Sequence, residues 1–225
     1  GASALACRAL GLRLKRIGAH LLQCDVKTAE LRQGKVYCGN ASLSLQEIAK
    51  TAHVRQDLLP EGIPPTLEET KIYEPVVTSG VFSYSTHAVV VEVDRETGEV
   101  KLVRYATAED CGTVVNPLIV DGQIVGGTTQ GIGTALFEEI PYDKFGQPQT
   151  STFADYHWPG PTSLPFFSIT HMVTPAEGTE YGMKGMGEGG AIAPPAAIAN
   201  GVRDALLACG IDAHINETPM SPRRI

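Results

Sequence analysis

HAVVVEVDRETGEVKLVRYATAED, residues 87–110, is the stretch on which the fold turns. Its two halves, His87–Val93 and Val100–Thr107, are rich in β-branched and apolar residues, which suit a pleated, half-buried surface. Between them Asp94-Arg-Glu-Thr-Gly98 supplies turn formers, so the stretch reads as a β-hairpin. The second strand runs into Glu109-Asp-Cys-Gly-Thr-Val-Val-Asn-Pro117, and a helix is expected from about Ile119 to Glu139, with Val125, Ile132 and Leu136 on one side. Gly126, Gly127, Gly131 and Gly133 lie inside it, each costing about 1 kcal/mol relative to Ala. Such a cluster serves either close packing of another helix or the approach of a ligand.

Downstream, Tyr142-Asp-Lys-Phe-Gly146 reads as a turn, and Phe166–Val173 as a strand. A polar, Gly-rich loop covers Thr174–Gly190, and a helix is expected from Pro194 to about Cys209, with Gly210 as its stop. Upstream, Leu10, Leu14, Ile17 and Leu21 recur at helical spacing among basic residues, and Ser44-Leu-Gln-Glu47 announces a second helix through the capping-box pattern. Residues 54–80 read as a Pro-rich connector. The expected class is α/β (α+β mixed), with a helical segment and connector over 1–80 and a site-bearing region over 81–225. The chain begins Gly1-Ala-Ser without Met, so the first segment is expected to continue a domain begun elsewhere.

Composition narrows the function. A formal charge of -7 argues against general affinity for nucleic acid or an anionic membrane, and no apolar run approaches the roughly 20 residues needed to span a bilayer. Five dispersed cysteines without a C-x-x-C pair fit neither a disulfide framework nor a protein-ligated metal site; reduced, cytoplasmic thiols are the simpler reading.

Three stretches can carry chemistry. In Gly182-Met-Lys-Gly-Met-Gly-Glu-Gly-Gly190 the glycines leave backbone N–H groups uncovered, so the loop is either a solvated surface loop or a wrapper for an anionic or planar ligand. A Rossmann fingerprint is disfavoured: no apolar strand directly precedes the loop and no acidic residue follows in a βαβ context. The turn Asp110–Pro117 either presents donors to phosphate or is an ordinary buried turn with Cys111 as a small core residue. On the expected helix, Gln123 and Gln130 are polar-face residues or ligand donors. Tyr84, Tyr142, His157 and Trp158 line a substrate funnel or pack in the core.

Taken in order, EDCGTVVNP, DGQIVGGTTQGIGTALFEE, YDKFGQ, DYHWP, KGMGEGG and PPAAIANGVRDAL resemble the C-terminal part of the molybdenum-binding subunit of the xanthine oxidase and aerobic carbon monoxide dehydrogenase family. The resemblance is closest from about Phe82 onward and looser over residues 1–80. It implies a molybdenum hydroxylase or dehydrogenase acting on an aldehyde, N-heterocycle or similar small substrate with a water-derived oxygen. The metal would be held by a pterin cofactor, of the molybdopterin cytosine dinucleotide type, and not by protein ligands. Carried onto this chain, the resemblance makes Glu188 the general base, in an apolar, partly dry pocket that raises a Glu toward working pH. It assigns cofactor contacts to Cys111, Gly112, Thr113, Asn116, Lys184, Gly185 and Gly187. Lys184 is alternatively a solvent-facing structural residue. The remaining part of the subunit, an iron–sulfur [2Fe-2S] subunit and an FAD subunit are the implied partners, so the chain is expected to be inactive alone. A non-catalytic assembly module that kept the fold is the competing reading.

Overall fold

Leu10, Leu14, Ile17 and Leu21 close one face of the expected first helix. In the computed structural model, which describes residues 1–76 and 80–225, α1 runs Ala2–Leu21. Positions 77–79 of the expected connector lie outside the described residues. The chain divides into two compact units, Gly1–Val76 and Val77–Ile225.

In the first unit α1 is followed by an antiparallel meander of β1 (Glu30–Arg32), β2 (Lys35–Cys38) and β3 (Ala41–Ser44). The expectation of a merely helical segment is corrected here: strands of three or four residues, mostly exposed, carry too little alternation to register as strands. Gln33 and Gly34 both have positive φ, 49° and 71°, the conformation of a two-residue hairpin turn whose twist matches its strands. Ser44 then caps α2 (Leu45–Val54): Glu47 N–H donates to Ser44 Oγ at 3.2 Å, while Ser44 N–H donates to Glu47 Oε2 at 2.8 Å. Ile17, Ala29, Val36 and Ile48 form the core. Arg13 ties the connector to α1, donating to the Thr66 carbonyl at 2.6 Å and pairing with Glu69.

Cys24 and Cys38 form a disulfide, with Cα atoms 6.6 Å apart. This corrects the reading of uniformly reduced thiols. The sheet returns the end of β2 beside the loop after α1, a proximity that cysteine spacing does not reveal. Cys7, Cys111 and Cys209 are free.

In the second unit the hairpin forms β4 (Tyr84–Val93) and β5 (Val100–Asp110), with His87 opposite Thr107. Asp94 shapes the turn, its Oδ1 accepting the N–H groups of Glu96 and Thr97 at 2.9 and 2.8 Å. The chain crosses back through α3 (Pro117–Leu136) before β6 (Phe167–Met172) pairs parallel to β5, as parallel neighbours require. The sheet order is β4-β5-β6. A single short turn of helix, α4 (Gly189–Ile192), precedes α5 (Pro194–Ala208), which stops at Gly210 as expected. Leu102, Tyr105, Ile132, Ile198, Val202 and Met220 make the core between sheet and helices. The inward face of α3 carries Ile124, Thr128, Ile132 and Ala135, and Val125 points partly to solvent. The mixture of helices and a mixed sheet agrees with the expected class. No helix among the described residues is long and apolar enough to cross a membrane.

Candidate functional site

Fold topology brings the three chemistry-bearing stretches together, the turn and the loop most tightly. β5 ends in the turn at 110–113, and residues 182–184 lie beside it like an added strand: Gly112 bridges Met183, Thr113 N–H donates to the Gly182 carbonyl at 3.2 Å, and Lys184 N–H donates to the Cys111 carbonyl at 2.8 Å. Glycine is obligatory at 112. Its φ is +68°, and a Cβ there would stand 2.2 Å from the Gly182 carbonyl oxygen.

Asp110 organises this junction. Its side chain is fully enclosed, and its Oδ1 accepts the Gly112 N–H at 2.9 Å and the Lys184 ammonium at 3.1 Å. Lys184 Nζ also stands 4.7 Å over the Tyr84 ring, whose hydroxyl shares a 2.9 Å hydrogen bond with Thr174. Burial pushes the Asp110 carboxyl up, but hydrogen bonding from Thr174, the Gly112 amide, Lys184 and Tyr84 outweighs it and holds the group well below the usual carboxylate range. Lys184 is therefore not the solvent-facing residue of the alternative reading; its side chain is only 7% exposed. Burial, with the Asp110 and Glu109 carboxylates nearby, pushes the Cys111 thiol up. Among the described residues no cluster of three or more His, Cys, Asp or Glu could hold a metal ion.

Beyond Lys184 the loop opens. Gly185 and Gly187 are exposed, neither has a positive φ, and a Cβ at either would meet nothing within 4 Å. This chain alone gives no steric reason for glycine there. Gln123 of α3 donates to the Gly187 carbonyl at 3.4 Å, tying helix to loop. Glu188 follows as the N-cap residue of α4, exposed and making no side-chain cap. The expected apolar, partly dry pocket around Glu188 is thus not built by this chain; its own elements set the backbone and leave the carboxylate facing outward. Asn116 stands apart from the loop as the N-cap of α3, accepting the Ile119 N–H at 3.4 Å.

The aromatic funnel does not assemble as one group. Trp158 packs against Phe153 and Tyr156, His157 packs against Phe137, and of the four residues Tyr84 alone is placed at the Asp110–Lys184 junction. Sequence reasoning missed Asp110 and Thr174. A signal existed for Asp110: a carboxylate at the end of an apolar strand, two residues before a glycine, is the pattern of an Asx-type turn.

With that geometry in place, the chain can be compared with known proteins. The family model for a molybdopterin cofactor-binding domain matches residues 1–165. The nicotine 6-hydroxylase large subunit of Paenarthrobacter nicotinovorans is 37% identical over 223 residues, 98% of this chain and 27% of that protein. The carbon monoxide dehydrogenase large chain of Hydrogenophaga pseudoflava is 31% identical over 187 residues, covering 83% of this chain and 23% of that one. Among solved structures, quinoline 2-oxidoreductase from Pseudomonas putida 86 superposes with a TM-score of 0.79 at 35% identity, over 96% of this chain and 28% of that chain. This chain spans about a quarter of the length of the curated relatives it matches.

Proposed function

The chain belongs to the molybdopterin cofactor-binding domain family, and from that premise we propose that it is the part of a molybdenum hydroxylase that grips the pterin dinucleotide and supplies the general base, Glu188. The observation that carries this reading is the clamp between the turn at 111–113 and the loop at 182–184, beyond which Gly185 and Gly187 stay bare and Glu188 projects. The residues present fit such a group. Backbone at 185–187 is accessible to a planar ligand, and Gly112, Thr113 and Lys184 are locked to one another, so the two contact stretches share one frame.

When bound, the pterin-held molybdenum supplies two-electron redox chemistry. The chain's own contribution is to orient and to move a proton. The Asp110–Lys184 pair pins one end of the loop, Gln123 holds the Gly187 carbonyl, and α4 fixes the other end. Glu188 accepts the proton that a water-derived nucleophile must lose to attack the substrate carbon. Cys111 contributes through its backbone carbonyl, and Asn116 through the start of α3. An N-heterocycle is the favoured substrate class, because the relatives named for nicotine and quinoline are more similar in sequence than the carbon monoxide enzyme.

The remaining part of the subunit is a necessary partner in this reading. Val115 just before α3 and Leu118 and Ile119 on it are 69%, 82% and 62% exposed, and Gly122 and Gly126 follow along the helix with open space where a side chain would be. An iron–sulfur [2Fe-2S] subunit and an FAD subunit complete the electron path, and the cofactor is of the cytosine dinucleotide type. A cytoplasmic location belongs to the same proposal, although the Cys24–Cys38 pairing pulls against it; a thiol count on the native protein decides.

Glu188→Gln in the complete enzyme is the central test. It keeps volume and removes the base, so turnover should fall about 10²-fold or more with molybdenum content unchanged. Wild-type turnover would remove Glu188 from the role. The competing assembly-module reading predicts no stoichiometric molybdenum or pterin on extraction.

A further inference from the structure

The inner face of the second sheet changes character along its strands. At one end it carries Val89, Tyr105 and Phe167 and packs in the core. At the other, beside the turn at 110–113, the register places His87, Thr107, Glu109 and His171 on that same face. Of these, Glu109 lies nearest the loop that ends in Gly189 and Gly190, while His171 pairs with Asp121 at 2.7 Å.

Glu109 is the outlier in this layer. Its side chain is 1% exposed and that of His87 is 0%, with His87 Nε2 3.4 Å from Glu109 Oε1. Among the described residues neither carboxylate oxygen of Glu109 accepts a hydrogen bond, and the hydroxyls of Thr107 and Thr128 are likewise unpartnered. Tyr105 closes the far side, sharing a 2.9 Å hydrogen bond with His87 Nδ1. Enclosing a carboxylate costs several kcal/mol unless a partner shares its charge, and an apolar side chain of similar volume would serve a packed core as well or better. A strand that needed only packing has no physical reason for Glu at this position.

What Glu109 faces is the loop backbone, on the side where Gly189 carries no side chain. A Cβ at Gly189 would stand 3.4 Å from Glu109 Oε2, and one at Gly190 would stand 3.3 Å from Thr128 Oγ1 and 2.7 Å from the Ile124 carbonyl oxygen. The backbone immediately after Glu188 therefore passes over the carboxylate with no room between them for more than a small side chain, while α3 walls it in from the side.

We propose that Glu109, paired with His87, is a positioning residue that sets the height of the Gly189–Gly190 backbone over the sheet and so places Glu188. Glu109 does not touch the reacting atoms. It acts through Gly189, and the proposal rests on Glu188 being the base.

The test uses the complete enzyme and three variants. Glu109→Leu removes the carboxylate and keeps the volume; the melting temperature should not fall, molybdenum content should stay at the wild-type level, and kcat should drop about ten- to a hundredfold with KM little changed, the scale of a misplaced catalytic group. Amide hydrogen exchange should rise over residues 186–190 and not elsewhere. Glu109→Gln, which preserves shape and a polar contact to His87, should restore both exchange and most of kcat. Should the Leu variant fail to assemble, Glu109→Asp carries the same test, because it withdraws the carboxylate by one methylene: kcat should fall and exchange over 186–190 should rise.

Wild-type kcat together with wild-type exchange in the Leu or Asp variant would overturn the proposal. So would a kcat loss accompanied by raised exchange across the whole second unit and a lower melting temperature, the signature of a packing residue. If Glu188→Gln keeps turnover, the base reading fails and takes the kcat arm with it; exchange over 186–190 still reads the hold of Glu109 on the loop.

Discussion

Asp110 and Lys184 form an ion pair with 0% and 7% side-chain exposure, and with the backbone bonds between 111–113 and 182–184 this pair holds the two stretches together. Removing one partner of such a pair leaves an uncompensated buried charge, at a cost of about 3–5 kcal/mol. Lys184→Met should accordingly lower the melting temperature of the protein and loosen the loop, whereas Asp110→Asn combined with Lys184→Met should recover most of the loss in thermal melts. Acid should act on the same pair. The folded Asp110 carboxyl lies below its ordinary value, so its contribution to stability is present above the unfolded aspartate range, near about pH 4, and is lost as pH falls through that range toward the folded value. Unfolding followed against pH should show the wild-type acid limb flattened in the double variant; an unchanged limb would mean the pair contributes nothing. Of the candidate site residues, Glu188 and Lys184 came from the resemblance that the KGMGEGG string carries, since the glycine pattern alone suits a solvated surface loop as well; the structure then showed Lys184 to be buried. Asp110 was not singled out, since its importance lies in which loop folds back onto it, a matter of contacts 74 residues apart.

At the scale of elements, α3 separates its glycines by purpose. Gly131 faces the start of α5, where a Cβ would stand 2.7 Å from Pro194 and 2.8 Å from the Ala191 carbonyl oxygen, and Gly127 would meet Ala191 N at 3.1 Å. Gly122 and Gly126 meet nothing within 4 Å. The choice left open by sequence, close packing or an external approach, thus resolves as packing for the first pair; the second pair faces open space. Gly131→Ala should destabilise the chain, by more than the helix-propensity gain can offset. Gly126→Ala should stabilise it by about 1 kcal/mol when melted by itself, through propensity alone. The same Gly126→Ala change in the complete enzyme should weaken assembly, measured as subunit content after gel filtration. The hairpin and α3 were readable because long periodic elements average over many residues. The β1–β3 meander was not, although its Gln33-Gly34 and Gly39-Asn40 pairs are turn signals, because the strands between them are too short to show a period.

For the whole molecule, the proposal makes the chain the frame of a site whose roof other sequence supplies. Glu188 is exposed, Val115 and the start of α3 at Leu118 and Ile119 present apolar side chains outward, and the matched relatives are about four times as long. The purified 225-residue chain should therefore retain no molybdenum and oxidise no N-heterocycle, while co-expression with the rest of the subunit should restore both. Leu118→Glu with Ile119→Glu should block that restoration and make the lone chain more monodisperse in sedimentation. Turnover by the lone chain would end this view of a shared site.

The sequence by itself determined the local elements and the chemical vocabulary: hydrophobic period, turn residues and caps act over a few positions, and a glycine-framed glutamate is visible wherever it sits. Only the tertiary structure decided which stretches meet. It set residues 182–184 against 111–113, buried Asp110 with Lys184, joined Cys24 to Cys38, and laid Glu109 beneath Gly189. Each of those depends on strand register and on the crossover through α3, and a one-dimensional pattern carries no term for distance between residues far apart in the chain.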